Sequence, residues 1–195
     1  MKTKNEEKAI LRILKNPKNE YNANSISKIM KVTSMGALKL LKRLEKEGIL
    51  VQKKVSNISF YLLNFENSFA VSYASLMLES EAEHSSSYIK RWIGEVRKIK
   101  DAEIAIIFGS VLSKGENAND VDVLFVVEKG KFGDLKKEIE KLNLLNEKRI
   151  HSVFQTKEDL IGNIKKKDKV VLEAINGIVV FGESEFVKLM RDVKE

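Results

Sequence analysis

Residues 104–127 read Ile-Ala-Ile-Ile-Phe-Gly-Ser-Val-Leu-Ser-Lys-Gly-Glu-Asn-Ala-Asn-Asp-Val-Asp-Val-Leu-Phe-Val-Val. The apolar start predicts a buried strand, Gly109-Ser110 a sharp turn, and the polar residues after it a loop. A second strand follows and carries Asp120 and Asp122. Because successive side chains of a strand point to opposite faces, these two carboxylates are expected on the same face.

Two adjacent carboxylates repel each other, and a cation between them removes that cost. Mg²⁺ takes oxygen ligands and is often held by one or two carboxylates together with substrate phosphates. The Gly109-Ser110 turn offers backbone N–H groups and a hydroxyl close by in the chain. The pattern therefore predicts a site for a nucleoside triphosphate with Mg²⁺ held by Asp120 and Asp122. The alternative is a solvent-facing strand edge whose charges prevent aggregation.

These residues resemble the nucleotidyltransferases of the DNA polymerase β superfamily, and most closely their minimal, small-domain members. Such proteins have a Gly-Ser turn, a spacer of about ten residues and then Asp-x-Asp; here nine residues separate Ser110 from Asp120. Ser113-Lys-Gly-Glu116 is similar to the Ala-Arg-Gly-Glu often found in that spacer. Gly177-Ile-Val-Val-Phe-Gly182 is similar to a late strand of these domains, and the resemblance extends loosely from about Ser85 to the C-terminus.

The resemblance implies that Gly109 and Ser110 bind the terminal phosphates and that Asp120 and Asp122 are both metal ligands and catalytic residues. Lys114 would either contact phosphates or be an ordinary loop lysine. An active protein would transfer a nucleotidyl group to an acceptor such as a partner toxin, a tRNA end or a small molecule.

One departure from the family pattern concerns the third carboxylate that active members place on a later strand. The corresponding strand, residues 149–155, contains no acid, and His151 or Ser152 stands near that position. His151 is interpreted either as a half-buried strand histidine or as a proton acceptor that replaces the acid. Nucleotide binding is thus better supported than catalysis.

Composition narrows the class of protein. The chain of 195 residues has no cysteine, which excludes disulfides and cysteine-ligated zinc. No apolar run approaches the roughly 18 residues of a membrane span, and the N-terminus lacks a signal peptide's apolar core. We therefore expect a cytoplasmic protein without a membrane segment.

The positive charge is confined to the first third of the chain. Residues 1–64 contain 14 Lys and Arg against 5 Asp and Glu, a net charge of +9. Residues 65–195 contain 21 against 23, a net charge of −2. Such asymmetry indicates an anionic polymer as the partner of the first third.

Apolar periodicity in this basic third predicts three short helices followed by a β-hairpin around Ser56-Asn57. The third helix is expected to be capped by Thr33-Ser34 and stopped at Gly48. The inward residues are expected to be Ala9, Ile10, Ile13 and Leu14 in the first helix, Ile26, Ile29 and Met30 in the second, and Ala37, Leu40 or Leu41, and Leu44 in the third.

Three helices followed by a hairpin resemble a winged helix-turn-helix domain. Residues 40–51 are similar to the recognition helix and first wing strand of many bacterial and archaeal regulators; they read Leu-Leu-Lys-Arg-Leu-Glu-Lys-Glu-Gly-Ile-Leu-Val. A helix of this size fits the major groove of double-stranded DNA. The candidate DNA-binding residues are Ser34, Met35, Lys39, Lys42 and Arg43 on the helix, and Lys53 and Lys54 on the wing. The alternatives are a merely solvated basic face and a winged helix that contacts protein.

The segment 65–100 has a helical pattern interrupted at Ser85-Ser86-Ser87. Its first apolar stripe, Phe69, Tyr73 and Leu76, predicts either a homodimerisation helix or packing within the monomer. Its second stripe is expected to pack on the sheet, with Trp92 in the core, and His84 is expected at the surface. The second stripe comprises Tyr88, Ile89, Trp92, Ile93, Val96 and Ile99.

Together these patterns predict a two-domain protein of the α/β (α+β) class. A winged helix-turn-helix would occupy residues 1–64, a linker or dimerisation helix 65–84, and a small nucleotidyltransferase-type mixed sheet with helices 85–195. The expected function is a transcriptional regulator that binds DNA and nucleotide. Whether the second domain transfers a nucleotidyl group, or serves only for dimerisation or nucleotide sensing, stays open at this point.

Overall fold

The computed structural model describes residues 4–194, which form a mixed α/β structure with ten α-helices and two small sheets. The mixed class expected from the sequence is therefore confirmed. The residues divide into two compact units: one contains the chain up to Met77 and from Met190 onward, and the other is Leu78–Leu189. Within the described range, no helix has both the length and the apolar character needed to cross a bilayer.

The first unit begins with three helices and a hairpin, as the sequence predicts. The helices are α1 (Lys4–Lys15), α2 (Ala23–Met30) and α3 (Ser34–Lys46), and the strands are β1 (Leu50–Val55) and β2 (Ile58–Leu63). The strands pair antiparallel with Val55 opposite Ile58, which places the turn at Ser56-Asn57. Helix α4 (Ser68–Glu83) follows, and it starts in this unit and ends in the next.

Local hydrogen bonds fix the ends of α2 and α3. Asn22 and Ser25 form a reciprocal capping box, in which each side chain accepts from the other residue's backbone N–H. The Thr33 hydroxyl accepts from the backbone N–H of Gly36 at 3.1 Å and so caps α3. Gly48 has a φ of +74° just beyond α3, a conformation that glycine adopts without steric cost. The predicted start and stop of the third helix are thus both confirmed.

The exposure of two large apolar side chains is decided by tertiary packing, and for Ile29 it contradicts the expected inward position. Ile29 is 39% exposed, because α2 is only two turns long and its inward face is formed by Ile26, Ser27 and Met30. In α4 the apolar stripe expected from sequence lies partly outward, since Phe69 is 56% exposed. The buried face of that helix consists of Ala70, Ala74, Met77, Leu78 and Ala82.

A buried carboxylate joins three helices of the first unit. The side chain of Glu6 on α1 is 5% exposed, and its Oε2 lies 2.5 Å from Nη2 of Arg43 on α3. The hydroxyl of Tyr73 on α4 donates to Oε1 of Glu6. A buried charge is tolerated only with such partners, so α1, α3 and α4 are held in one arrangement by this carboxylate.

The second unit contains a four-stranded mixed sheet in the order β5-β4-β3-β6. Its strands are β3 (Ile104–Phe108), β4 (Val121–Val126), β5 (Ile150–Gln155) and β6 (Ile178–Phe181). Strand β3 pairs antiparallel with both β4 and β6, whereas β4 pairs parallel with the edge strand β5. The helices are α5 (Ser87–Val96), α6 (Val111–Lys114), α7 (Phe132–Leu145), α8 (Lys157–Lys165), α9 (Lys169–Ile175) and α10 (Glu183–Lys194), the last ending in the first unit.

The core of this unit forms where α5 and α7 pack on one face of the sheet. Trp92 of α5 is 1% exposed and belongs to the same apolar cluster as Ile107 of β3, Phe125 of β4 and Leu135 of α7. Both the packing of the second stripe on the sheet and the core position of Trp92 are confirmed. Ser86 caps α5 through its side chain, and His84 is exposed, as expected.

We predict that Tyr73→Phe lowers the free energy of unfolding by about 1–2 kcal/mol, because Glu6 loses a hydrogen bond that a buried carboxylate needs. Burial and the hydrogen bond to Glu6 raise the pKa of the Tyr73 hydroxyl above its usual value of 10.0. The folded state thus favours the protonated hydroxyl, and the stabilisation is complete below pH 10 and lost as pH rises beyond it.

Urea denaturation between about pH 8 and pH 11 measures the loss of unfolding free energy in Tyr73→Phe and its dependence on pH. The difference between wild type and variant should shrink at the alkaline end. Tyr88→Phe is the matched control, since the Tyr88 hydroxyl forms no hydrogen bond within residues 4–194. An equal loss of stability in both variants would show that the contact with Glu6 is not the cause.

Candidate functional site

The turn after β3 lies beside Asp122 of β4 because the two strands are antiparallel neighbours. Asp120, expected on the same strand, instead lies immediately before it. Phe108, the last residue of β3, pairs with Asp122. The chain turns at Gly109 and Ser110, forms the short helix α6 and a 3₁₀ turn (Gly115–Asn117), and returns to β4. The carboxyl end of one strand and the amino end of the next thus meet at one corner of the sheet.

At this corner the backbone of Gly109 and the carboxylate of Asp122 occupy adjoining space. Gly109 has a φ of +77°, and a Cβ atom on it would lie 2.3 Å from Oδ2 of Asp122. No side chain of any kind fits there without displacing the carboxylate. The glycine therefore supplies both the turn conformation and the room for Asp122.

Strand β5 places His151 directly beside Asp122. The parallel register pairs these two residues, and Nδ1 of His151 lies 2.9 Å from Oδ1 of Asp122. The histidine side chain is 68% exposed and the aspartate side chain 21%. The expectation of a half-buried histidine is wrong, because β5 is the edge strand of the sheet and this face of it is open to solvent.

Asp120, Asp122 and His151 form a group that could hold a metal ion. One ligand atom from each lies within 4.8 Å of the others, and both aspartates are half-buried while the histidine is exposed. The predicted common direction of Asp120 and Asp122 is consistent with this cluster. Two carboxylate oxygens and one imidazole nitrogen are suitable ligands for a divalent cation that keeps further positions open.

The other two residues expected at the phosphates lie along the chain after Gly109. Ser110 is half-buried at the start of α6, and its hydroxyl makes no capping hydrogen bond. Lys114 is exposed at the end of α6 and forms no ion pair within residues 4–194. The structure thus brings Gly109 against Asp122 but does not join Lys114 to the carboxylates.

Lys148 helps to position the loop before Asp120, a role that was not predicted from the sequence. Its ammonium group donates to the backbone carbonyls of Glu116 and, at 2.5 Å, of Ala118, and it lies 5.5 Å from the ring centroid of Tyr88. These bonds hold the end of the loop that leads into Asp120. Every residue has a backbone carbonyl, so the acceptors of these bonds cannot be recognised from residue type. Only the position of this lysine just before β5 could have suggested its role.

The candidate DNA-binding residues of the first unit are exposed on α3 and the hairpin, but two of them already have acidic partners. Arg43 contacts Glu6 and lies 3.7 Å from Glu47, and Lys53 lies 2.9 Å from Glu20. The remaining candidates, Ser34, Met35, Lys39, Lys42 and Lys54, are exposed.

Helix α3 and the hairpin border a groove of about 630 Å³. Lys42 and Lys46 line it from the helix, and Lys54 lines it from the hairpin. Gln52 and Ser59 add uncharged polar groups to the hairpin side. Glu45 also lines the groove, so three lysines and one acid give this concave surface a net positive charge, which suits an anionic partner.

No protein-family model, curated protein or solved structure matches this chain. The chemistry of the corner formed by β3, β4 and β5 is therefore inferred from its own residues and distances.

We predict that Gly109→Ala weakens divalent-cation binding at least about tenfold and costs about 1–3 kcal/mol of stability, because the new Cβ must displace Asp122. Titration with Mn²⁺ and chemical denaturation measure the two effects. Gly115→Ala is the control: its φ is +54°, but no atom lies within 4 Å of the added Cβ. If Gly115→Ala weakened Mn²⁺ binding equally, backbone strain rather than the clash would be responsible.

Proposed function

We propose that this chain is a DNA-binding regulator whose second unit binds a nucleoside triphosphate together with a divalent cation, Mg²⁺ in the simplest case. One observation carries the nucleotide part of this proposal. Asp122 packs on the bare backbone of Gly109, with Asp120 and His151 within reach of the same cation. A cation held there would lie beside a tight turn whose backbone N–H groups suit phosphate oxygens.

The cation is essential to this arrangement because phosphates and carboxylates repel each other. Asp120 and Asp122 would hold a divalent ion, which would supply the positive charge that offsets both the carboxylates and the phosphates. Ser110 would donate its hydroxyl to a terminal phosphate. Lys114, which has no ion-pair partner in the described range, is available to approach the same phosphates.

In the catalytic form of the proposal, an acceptor hydroxyl or amine attacks the α-phosphorus of the triphosphate. A new bond from phosphorus to the acceptor oxygen or nitrogen forms as the bond to the bridging oxygen breaks, and pyrophosphate leaves with its negative charge balanced by the cation. The acceptor's proton passes to water, or to the imidazole of His151 where that imidazole is not itself a ligand of the cation. A partner toxin, a tRNA end and a small molecule are all chemically suitable acceptors.

A second form of the proposal is a nucleotide sensor without transferase activity. It is favoured by the identity of the residue opposite Asp122, which is His151 rather than an acid. A carboxylate there would add negative charge to hold a second cation or accept the proton, and β5 supplies none. In this form the bound nucleotide would alter the affinity of the first unit for DNA.

The DNA-binding part of the proposal is supported by charge and shape. The first 64 residues carry a net charge of +9, and α3 exposes Lys39 and Lys42 while a groove beside it is lined by lysines. A helix with such a face fits the major groove, and lysines at its sides suit the phosphates that flank it.

We predict that the protein binds a nucleoside triphosphate only with a divalent cation, and that Asp122→Asn weakens this binding at least about tenfold because the cation loses a charged ligand. Calorimetric titration with ATP, CTP, GTP and UTP, in Mg²⁺ and in Mn²⁺, measures it. Asp134→Asn is the matched control, an exposed aspartate of α7 paired with Lys137.

Labelled triphosphates then separate the two forms of the proposal. Label that appears on an acceptor in cell lysate, and is absent with Asp120→Ala, identifies a transferase. Tight nucleotide binding without label transfer, combined with a change in DNA affinity, identifies a sensor. Binding of nucleotide that is unaffected by Asp122→Asn would contradict both forms.

We predict that Lys39→Glu combined with Lys42→Glu lowers affinity for double-stranded DNA at least about tenfold at low salt, and that wild-type binding weakens steeply as salt rises. Fluorescence anisotropy with duplex DNA measures this. Arg43 is not a suitable target, because its replacement would also leave Glu6 buried without its guanidinium partner.

Lys136→Glu combined with Lys141→Glu makes the same change of charge on α7 of the second unit and serves as control. An equal loss of affinity in both double variants would indicate nonspecific attraction. Retention of DNA by the α3 variant would indicate that the first unit binds protein instead.

A further inference from the structure

The ligand set of the second unit differs from an all-oxygen magnesium site in one atom. Asp120 and Asp122 offer oxygen, but the third side chain of the group is an imidazole, that of His151. Mg²⁺ is a hard cation that strongly prefers oxygen and keeps its waters, whereas imidazole nitrogen is a ligand of choice for transition-metal dications. The identity of the third side chain therefore bears on which cation is selected.

The geometry places the imidazole in a ligand position. Two ligands at right angles around an octahedral cation, each at about 2.1 Å, lie about 3.0 Å apart. Nδ1 of His151 and Oδ1 of Asp122 are separated by 2.9 Å. In the structure this contact is a hydrogen bond between the two side chains, and a cation bound by both atoms would take the place of its proton at nearly the same separation.

Strand pairing fixes the position of the His151 backbone relative to Asp122. His151 and Asp122 are paired residues of the parallel strands β5 and β4, so their Cα atoms are held in register. On the far side, the missing Cβ of Gly109 leaves the room in which the Asp122 carboxylate lies. The two aspartates are half-buried, whereas the imidazole, whose side chain is 68% exposed, is open to solvent.

We infer that this site selects a first-row transition-metal dication over Mg²⁺, with His151 as a nitrogen ligand beside Asp120 and Asp122. The inference rests on the proposed cation site of the second unit. Three protein ligands leave about three positions of an octahedral ion open, which is the number that water or triphosphate oxygens would fill.

Co²⁺ and Mg²⁺, each added alone to the full chain, test this inference. Co²⁺ absorbs visible light in a manner that depends on its ligands, and a directly bound imidazole gives strongly shifted proton NMR signals. We expect one Co²⁺ per chain, bound at least about tenfold more tightly than Mg²⁺. His151→Gln should weaken Co²⁺ at least about tenfold, remove the shifted imidazole signals and change Mg²⁺ affinity less than about twofold.

His84→Gln is the matched control, because His84 is the only other histidine of the chain and is exposed at the end of α4. His151→Asp provides the converse test, since an all-oxygen set should raise Mg²⁺ affinity and lower the preference for Co²⁺. Unchanged Co²⁺ binding in His151→Gln would overturn the inference.

The outcomes distinguish this inference from the proposed function. Equal binding of Co²⁺ and Mg²⁺, lost in Asp122→Asn but not in His151→Gln, would overturn the selectivity while leaving the cation site intact. Absence of binding by either ion would overturn both. Selective Co²⁺ binding without any affinity for nucleoside triphosphates would support the inference and contradict the nucleotide-binding function.

Discussion

The contact between the Asp122 carboxylate and the backbone of Gly109 is the constraint on which the second unit's chemistry depends. Antiparallel pairing of β3 and β4 forces the two residues together, and the positive φ of Gly109 turns the chain away without a side chain in the gap. Most of β4 is buried, with Asp122 as its half-buried exception. The fold therefore concentrates negative charge at one corner of the sheet, and a cation is the simplest means of relieving it.

A second buried charge organises the first unit. Glu6 is removed from water and draws both Arg43 and Tyr73 toward it, so one carboxylate links α1, α3 and α4. This arrangement divides the basic residues of the unit into two kinds. Arg43 stabilises the fold through Glu6, whereas Lys39 and Lys42 lie exposed on the same helix and are available for a ligand.

Local patterns in the sequence were sufficient to predict the elements and the loop that builds the site. Turn residues such as Gly109, capping residues such as Thr33, and apolar periodicity each act over a few residues, and the structure confirms what they predict. What could not be predicted depends on pairing between distant segments. The exposure of His151 follows from the edge position of β5, which no local pattern encodes.

The surroundings of single side chains also depend on distant segments. Phe69 is 56% exposed, whereas the buried face of α4 is formed by Ala70, Ala74, Met77, Leu78 and Ala82, and this division could not be read from residue type. Arg43 is a candidate for DNA binding because it is basic and on the outer side of α3, and its contact with Glu6, 37 residues earlier in the chain, could not be predicted from a local pattern. Both outcomes were set by tertiary neighbours rather than by residue type.

The bonds of Lys148 have a consequence for how the loop before Asp120 can vary. Because its ammonium group binds the carbonyls of Glu116 and Ala118 from outside the loop, the last residues before β4 are anchored independently of those further back. Additions or deletions around Ser113 would alter the short helix α6 while the anchored end kept its place. The loop should therefore tolerate changes in length in its first part, provided that Lys148 is kept.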